Sequence, residues 1–130
     1  MNTDERTADF FKALMHPVRL RILAILRNGE ECVCHMEAAL GLRQAYISQH
    51  LTVLREAGVV SVRRDGWNIY YQAIAPGVFG IIDAAAEIAT GGKETVGLPA
   101  DPRPRGCACP KCNLERSKKV QKIDLPQRMS

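Results

Sequence analysis

The chain has 130 residues, 46% of them hydrophobic and 25% charged, which is enough for one modest domain and excludes both a wholly disordered chain and two ordinary domains. A domain this small is expected to share its core with a partner. The net charge of +4 is uneven: residues 103–130 hold eight Lys/Arg against two acidic residues, residues 1–102 ten against twelve, so any nucleic-acid surface must come from local placement of arginines.

The opening MNTDERTADFFKAL has no apolar run of the secretory kind, and nothing approaches the ~18 apolar residues of a membrane span. A cytoplasmic, reducing location is therefore expected. There the five cysteines read as metal or redox chemistry rather than a disulfide framework.

Asp4 to Leu14 sets Phe10, Phe11 and Leu14 on one side, with Thr3 placed to cap it, which predicts a short first helix. Pro17 suits the first position of a second helix, with Val18, Ile22, Ile25 and Leu26 at core-facing spacing up to Asn28-Gly29. Glu31-Cys32-Val33-Cys34-His35 follows, then a short helix from Met36 to Leu40 ended by Gly41. A longer helix runs from about Gln44 to Ala57, with Ile47, Leu51 and Leu54 inward.

Residues 59–63 and 68–72 are strand-like runs joined through Asp65-Gly66, a hairpin signal. Pro76 opens a last helix to about Thr90. Its Val78, Ile81, Ile82, Ala85, Ile88 and Ala89 exceed what one side needs, and Ala84-Ala85-Ala86 would admit a partner helix. Beyond Leu98 the prolines remove regular structure, apart from a helical stub expected near Glu115 to Ile123.

This order predicts a mainly α fold with a β-hairpin wing, the winged helix-turn-helix. It occupies residues 1–97 as the DNA-binding and dimerisation domain, and residues 98–130 form a flexible Pro/Lys/Arg-rich tail.

In such a fold the second helix of the motif enters the major groove. Gln44, Ala45, Ser48, Gln49 and Thr52, with Arg55 near the far end, occupy the side opposite the apolar ridge, and glutamine can read adenine with two hydrogen bonds. His50 either reaches a phosphate or braces the fold. On the hairpin, Arg63, Arg64 and Trp67 are placed to meet a neighbouring backbone or minor groove; the alternative is an ordinary solvated hairpin with Trp67 packed on the core.

The stretch from Ala13 to Gln72 resembles the ArsR/SmtB family of metal- and redox-responsive repressors. The most specific segments are His16-Pro17-Val18-Arg19-Leu20-Arg21-Ile22-Leu23, Ser48-Gln49-His50-Leu51, Leu54-Arg55-Glu56-Ala57-Gly58-Val59-Val60 and the wing Arg63-Arg64-Asp65-Gly66. The resemblance implies a homodimer joined through the first and last helices, a palindromic double-stranded operator, and repression relieved by an inducer. The family's arsenic, cadmium and lead sensors carry a similar Cys-Val-Cys where the first motif helix begins, here Cys32 and Cys34. The family's other metal site uses Asp and His pairs on the last helix; with Asp83 and Glu87 but no histidine there, that site is expected to be absent.

Thiolates suit soft or borderline ions, As(III), Cd, Pb and Zn among them. Positions i and i+2 lie about 200° apart on a regular helix but share one side of a strand. Chelation by Cys32 and Cys34 would thus favour an extended or broken helix start. Cys107, Cys109 and Cys112 add a C-x-C-P-x-C cluster in the tail. These thiols either join Cys32 and Cys34, of the same or the other subunit, or hold an ion of their own.

His35 is a candidate further ligand, with a solvent-facing or capping role the stronger reading; His16 is expected to cap or pack. The bland alternatives are buried thiols acting as small hydrophobes and a structural zinc knot in the tail. Two rival sensing chemistries are a thiol-redox or persulfide switch and an iron–sulfur cluster. No phosphate loop or nucleophile–base pairing points to an enzyme, an organic cofactor or a small organic substrate.

Overall fold

The structure, a computed structural model, describes residues 2–94 and 96. The elements run α1 (Thr3–Leu14), α2 (Pro17–Leu26), β1 (Glu31–Cys32), α3 (Val33–Leu40), α4 (Gln44–Glu56), β2 (Val60–Asp65), β3 (Asn68–Ala73) and α5 (Gly77–Thr90). This is the mainly α, winged helix-turn-helix architecture. Among the described residues, no helix is long and apolar enough to cross a membrane.

Helix α2 is the hub. Ile22, Leu23, Ala24, Ile25 and Leu26 are all buried, as expected of a helix surrounded by its own fold. Its N-terminus is closed by His16, whose Nδ1 accepts the Val18 N–H at 3.1 Å, with Pro17 at the first helical position, where a missing N–H costs nothing. His16 thus caps, as expected. The cap of α1 is Asn2, accepting from the Glu5 N–H at 2.8 Å, and not Thr3, which begins the helix. Met36 from α3, Ile47, Leu51 and Leu54 from α4, and Val59 and Val60 complete a core that fixes α3 and α4 against α2.

Two features differ from the sequence expectation. Helix α3 begins at Val33 rather than Met36, and β1 adds a strand to the wing sheet, whose order is β1-β3-β2. β1 pairs antiparallel with β3, Glu31 opposite Tyr71 and Cys32 opposite Tyr70. A two-residue strand has no periodicity of its own to read; only its partner defines it. At the far end of the hairpin, Gly66 has φ +63° and Trp67 has no positive φ, the sign pattern of a type II′ turn.

Helix α5 buries only Val78 and Ile82 and leaves Ile81 (39%) and Ile88 (84%) exposed. Phe11 of α1 and Met15, which caps its C-terminus, are also exposed. Between these helices lies an apolar groove of about 550 Å³ lined by Phe11, Leu14, Met15, Leu20, Ile81 and Ala85, among others.

Candidate DNA interface and thiol site

Helix α4 turns Ile47, Leu51 and Leu54 into the core and leaves Gln44, Ala45, Gln49, Thr52 and Arg55 exposed, with Ser48 half-buried. The Thr52 hydroxyl donates to the Ser48 carbonyl at 2.9 Å, which leaves its oxygen lone pairs to accept.

His50, for which the sequence left a phosphate contact and a brace of the fold open, is placed inside the packing. Its side chain is buried, its ring lies 4.3 Å from that of His16, and Tyr46 meets it edge-on at 4.7 Å. Burial, reinforced by His16 and Arg19, holds its pKa below the ordinary histidine value, so the neutral ring is favoured.

The wing arginines part company. Arg63 donates from Nε and a terminal nitrogen to the Glu30 carboxylate at 3.0 and 2.6 Å, and its guanidinium lies 4.8 Å from the Tyr70 ring centroid. Arg64, opposite Ile69 in the hairpin, alternates to the other face of β2 and is exposed. Trp67 at the tip is fully exposed (101%) rather than packed on the core.

The thiols sit where strand becomes helix. Cys32 is the N-cap position of α3, with extended backbone (φ −86°, ψ 164°), and Cys34 lies in the first turn. This break brings the two Sγ atoms to 2.8 Å, an approach a continuous helix would forbid. Cys32 is buried against Tyr70, with Cys34 packed on the pair. The two thiols open into a cleft of about 330 Å³ whose other walls include Gln44, Ser48, Trp67 and Tyr71. Sulfur, the start of the reading helix and the wing tip therefore share one concavity.

His35 is buried, neither solvent-facing nor capping, and its Nδ1 lies 2.8 Å from the Glu31 carboxylate. Because Glu31 lies in β1 and His35 in α3, helical i,i+4 spacing does not produce this pair; the strand-to-helix junction does. Among the described residues, no group of three or more His, Cys, Asp or Glu is placed to hold a metal ion. Cys32 and Cys34 are thus a two-sulfur donor set, chemically suited to a soft ion and short of a complete shell. Cys107, Cys109, Cys112 and the expected stub at 115–123 lie outside the described residues. On α5, Asp83 accepts two hydrogen bonds from Arg27, at 3.0 and 2.7 Å, which hold its pKa below the usual carboxylate range.

Comparison with known proteins agrees with this geometry. Residues 16–62 match the model of the bacterial regulatory proteins of the arsR family. An HTH-type transcriptional regulator of Methanocaldococcus jannaschii, MJ1325, is 45% identical over 73 residues, which is 55% of this chain and 82% of that protein. The arsenic resistance transcriptional regulator ArsR1 of Pseudomonas putida is 49% identical over 63 residues, 48% of this chain and 49% of the relative. The homodimeric winged helix-turn-helix DNA-binding domain of Mb0332 from Mycobacterium bovis superposes with a TM-score of 0.60 at 29% identity, covering 69% of this chain and 87% of that one. With reading helix, wing and family match in agreement, the chain belongs to the ArsR/SmtB family of DNA-binding, winged helix-turn-helix transcriptional repressors.

Proposed function

We propose that the protein is a homodimeric repressor that leaves a palindromic operator when a thiophilic metal or metalloid is captured by Cys32 and Cys34. The observation that carries this reading is the 2.8 Å approach of the two sulfurs at the start of α3, inside the cleft that also holds Gln44, Ser48 and Trp67. Gln44, Ala45, Ser48, Gln49 and Thr52 read base edges, Arg55 and Arg64 meet phosphates, and Trp67 meets the backbone or minor groove. Dimerisation covers the apolar groove between α1 and α5, an assembly supported by the homodimeric relative.

Cys32 and Cys34 supply two thiolates, and Cys107, Cys109 and Cys112 complete the shell. Eleven Cα–Cα steps lead from Val96 to Cys107, a reach of at most about 36–40 Å. A domain of this size has a radius of gyration of only about 12–13 Å, so this length of chain is sufficient to span its own domain. A bound soft ion neutralises the thiolates and fixes their separation. The chain's own contribution is to present both sulfurs from the cap of α3, so that holding them constrains the helix on which α4 rests. Capture requires deprotonated thiols, so affinity for the ion weakens as pH falls.

Anaerobic titration of reduced protein on operator DNA with As(III), Cd(II), Pb(II), Zn(II) and Cu(I), following thiolate-to-metal absorption, tests the reading. Release by at least one ion at about one ion per site is expected; absorption without release would defeat it. The same sulfur proximity favours a second reading, a redox switch in which the two thiols lose two protons and two electrons to an oxidant and form a disulfide. Release that demands oxidant and ignores every ion selects that reading.

A further inference from the structure

Three strands place one row of side chains on a single face of the wing sheet: Cys32 opposite Tyr70, and Tyr70 opposite Arg63. The row is physically continuous. Cys32 and Tyr70 are buried against each other, at 4% and 2% exposure, and the Arg63 guanidinium lies over the Tyr70 ring. It closes on itself through Glu30, which immediately precedes the thiol strand and takes two hydrogen bonds from Arg63, thirty-three residues away. The wing is thus tied to the thiol-bearing segment by the β1–β3 ladder, by the buried Cys32–Tyr70 contact and by a planar fork that fixes orientation as well as distance.

We propose that Glu30 is the positioning residue that makes the posture of the wing follow the state of Cys32. The proposal rests on the reading of Cys32 and Cys34 as the inducer site, and adds that the signal leaves that site by the wing as well as by α3. In the ion-free protein, Glu30 holds Arg63 over Tyr70 and so sets the angle at which Arg64 and Trp67 meet DNA. Capture of Cys32 shifts β1, Glu30 moves with the strand it adjoins, and Arg63 draws β2 after it. Arg64 and Trp67 then lose their register on the backbone. Without the Glu30 carboxylate, the ladder and the apolar Cys32–Tyr70 contact remain but the directional fork is lost, and the wing is free to stay in its DNA-binding posture.

The test uses the full chain, Cd(II) as probe, and Glu30→Ala beside the wild type. Operator affinity is measured with and without Cd(II), thiolate absorption reports loading, and amide hydrogen exchange is followed over residues 60–73. Wild type is expected to change wing exchange on loading and to lose affinity within the 5- to 150-fold range usual for such coupling. The Glu30→Ala protein is expected to load Cd(II) with the same stoichiometry and melt normally, yet lose less than about threefold in affinity. The charge-swapped pair Glu30→Arg with Arg63→Glu, judged only by the ratio of ion-free to loaded affinity, should recover much of the response, which a merely structural role would not predict.

Wing exchange in the wild type that ignores Cd(II), or responds equally in Glu30→Ala, overturns the proposal. Wing exchange that responds through Glu30 without operator release leaves the coupling standing and removes the functional reading instead.

Discussion

Helix α4 is supported at two places that differ in chemistry. At one, His50 lies buried between the rings of His16 and Tyr46, close to Arg19, which ties down α1 by donating to the carbonyls of Lys12 and Ala13. At the other, Met36 of α3 joins Ile47 and Leu51 in the core, and α3 itself starts at the Cys32–Cys34 junction. The first support is built of aromatic rings, with His50 buried and Tyr46 partly exposed. The second opens into the cleft and is made of atoms that soft ions seek. The difference between the two supports is that one holds α4 by packed rings and the other by a helix whose start carries two thiols. Rigid packing carries small shifts at a ligand site into discrete rearrangements rather than absorbing them.

The contrast can be broken most severely at the shared core. Leu51 is fully buried, so Leu51→Ala should cost about 2–5 kcal/mol in urea unfolding, removing both supports together. Next in size is the movable support. Replacing Cys32 and Cys34 with Ser should leave ion-free operator affinity within about twofold and abolish the inducer response, a loss of about 1–3 kcal/mol of coupling measured by titration on DNA. Full induction in the double variant would reassign the sensor.

The fixed support should fail in acid. Because folding lowers the His50 pKa, its contribution is complete above the ordinary value of about 6.5 and is lost as pH falls through the folded value. Melting temperature should therefore drop as pH falls below about 6.5, and His50→Gln should flatten that limb. Smaller again, Arg64→Ala should weaken all DNA sequences alike and reduce the salt slope of binding by about one. The smallest effect is expected from Asp83→Asn, because the Arg27 pair is largely solvated and exposed ion pairs contribute little; a shift in melting temperature near the limit of detection is the expected result.

Much of this was written in local pattern. The Ile47, Leu51, Leu54 ridge located the reading helix and left Gln44, Gln49 and Arg55 outside, as found. Pro17 and Gly41 marked a start and a stop, since one lacks the N–H a first turn does not need and the other adopts φ +67°. The surplus of apolar residues on the last helix likewise appears as the exposed Ile81 and Ile88.

What the residues determined alone is therefore everything decided within a few positions of itself: periodicity, caps and turns. Tertiary structure decided the rest. It recruited Glu31 and Cys32 into the sheet as β1, a pairing visible only from Tyr70 and Tyr71. It drew Arg63 to Glu30 and buried His50 and His35, choices made by neighbours distant in the chain. It also bent the backbone at Cys32 so that two sulfurs of opposite helical azimuth meet. The physical reason is the same in each case: local sequence sets which conformations are cheap, while the partner that satisfies a buried or charged group is supplied by the fold.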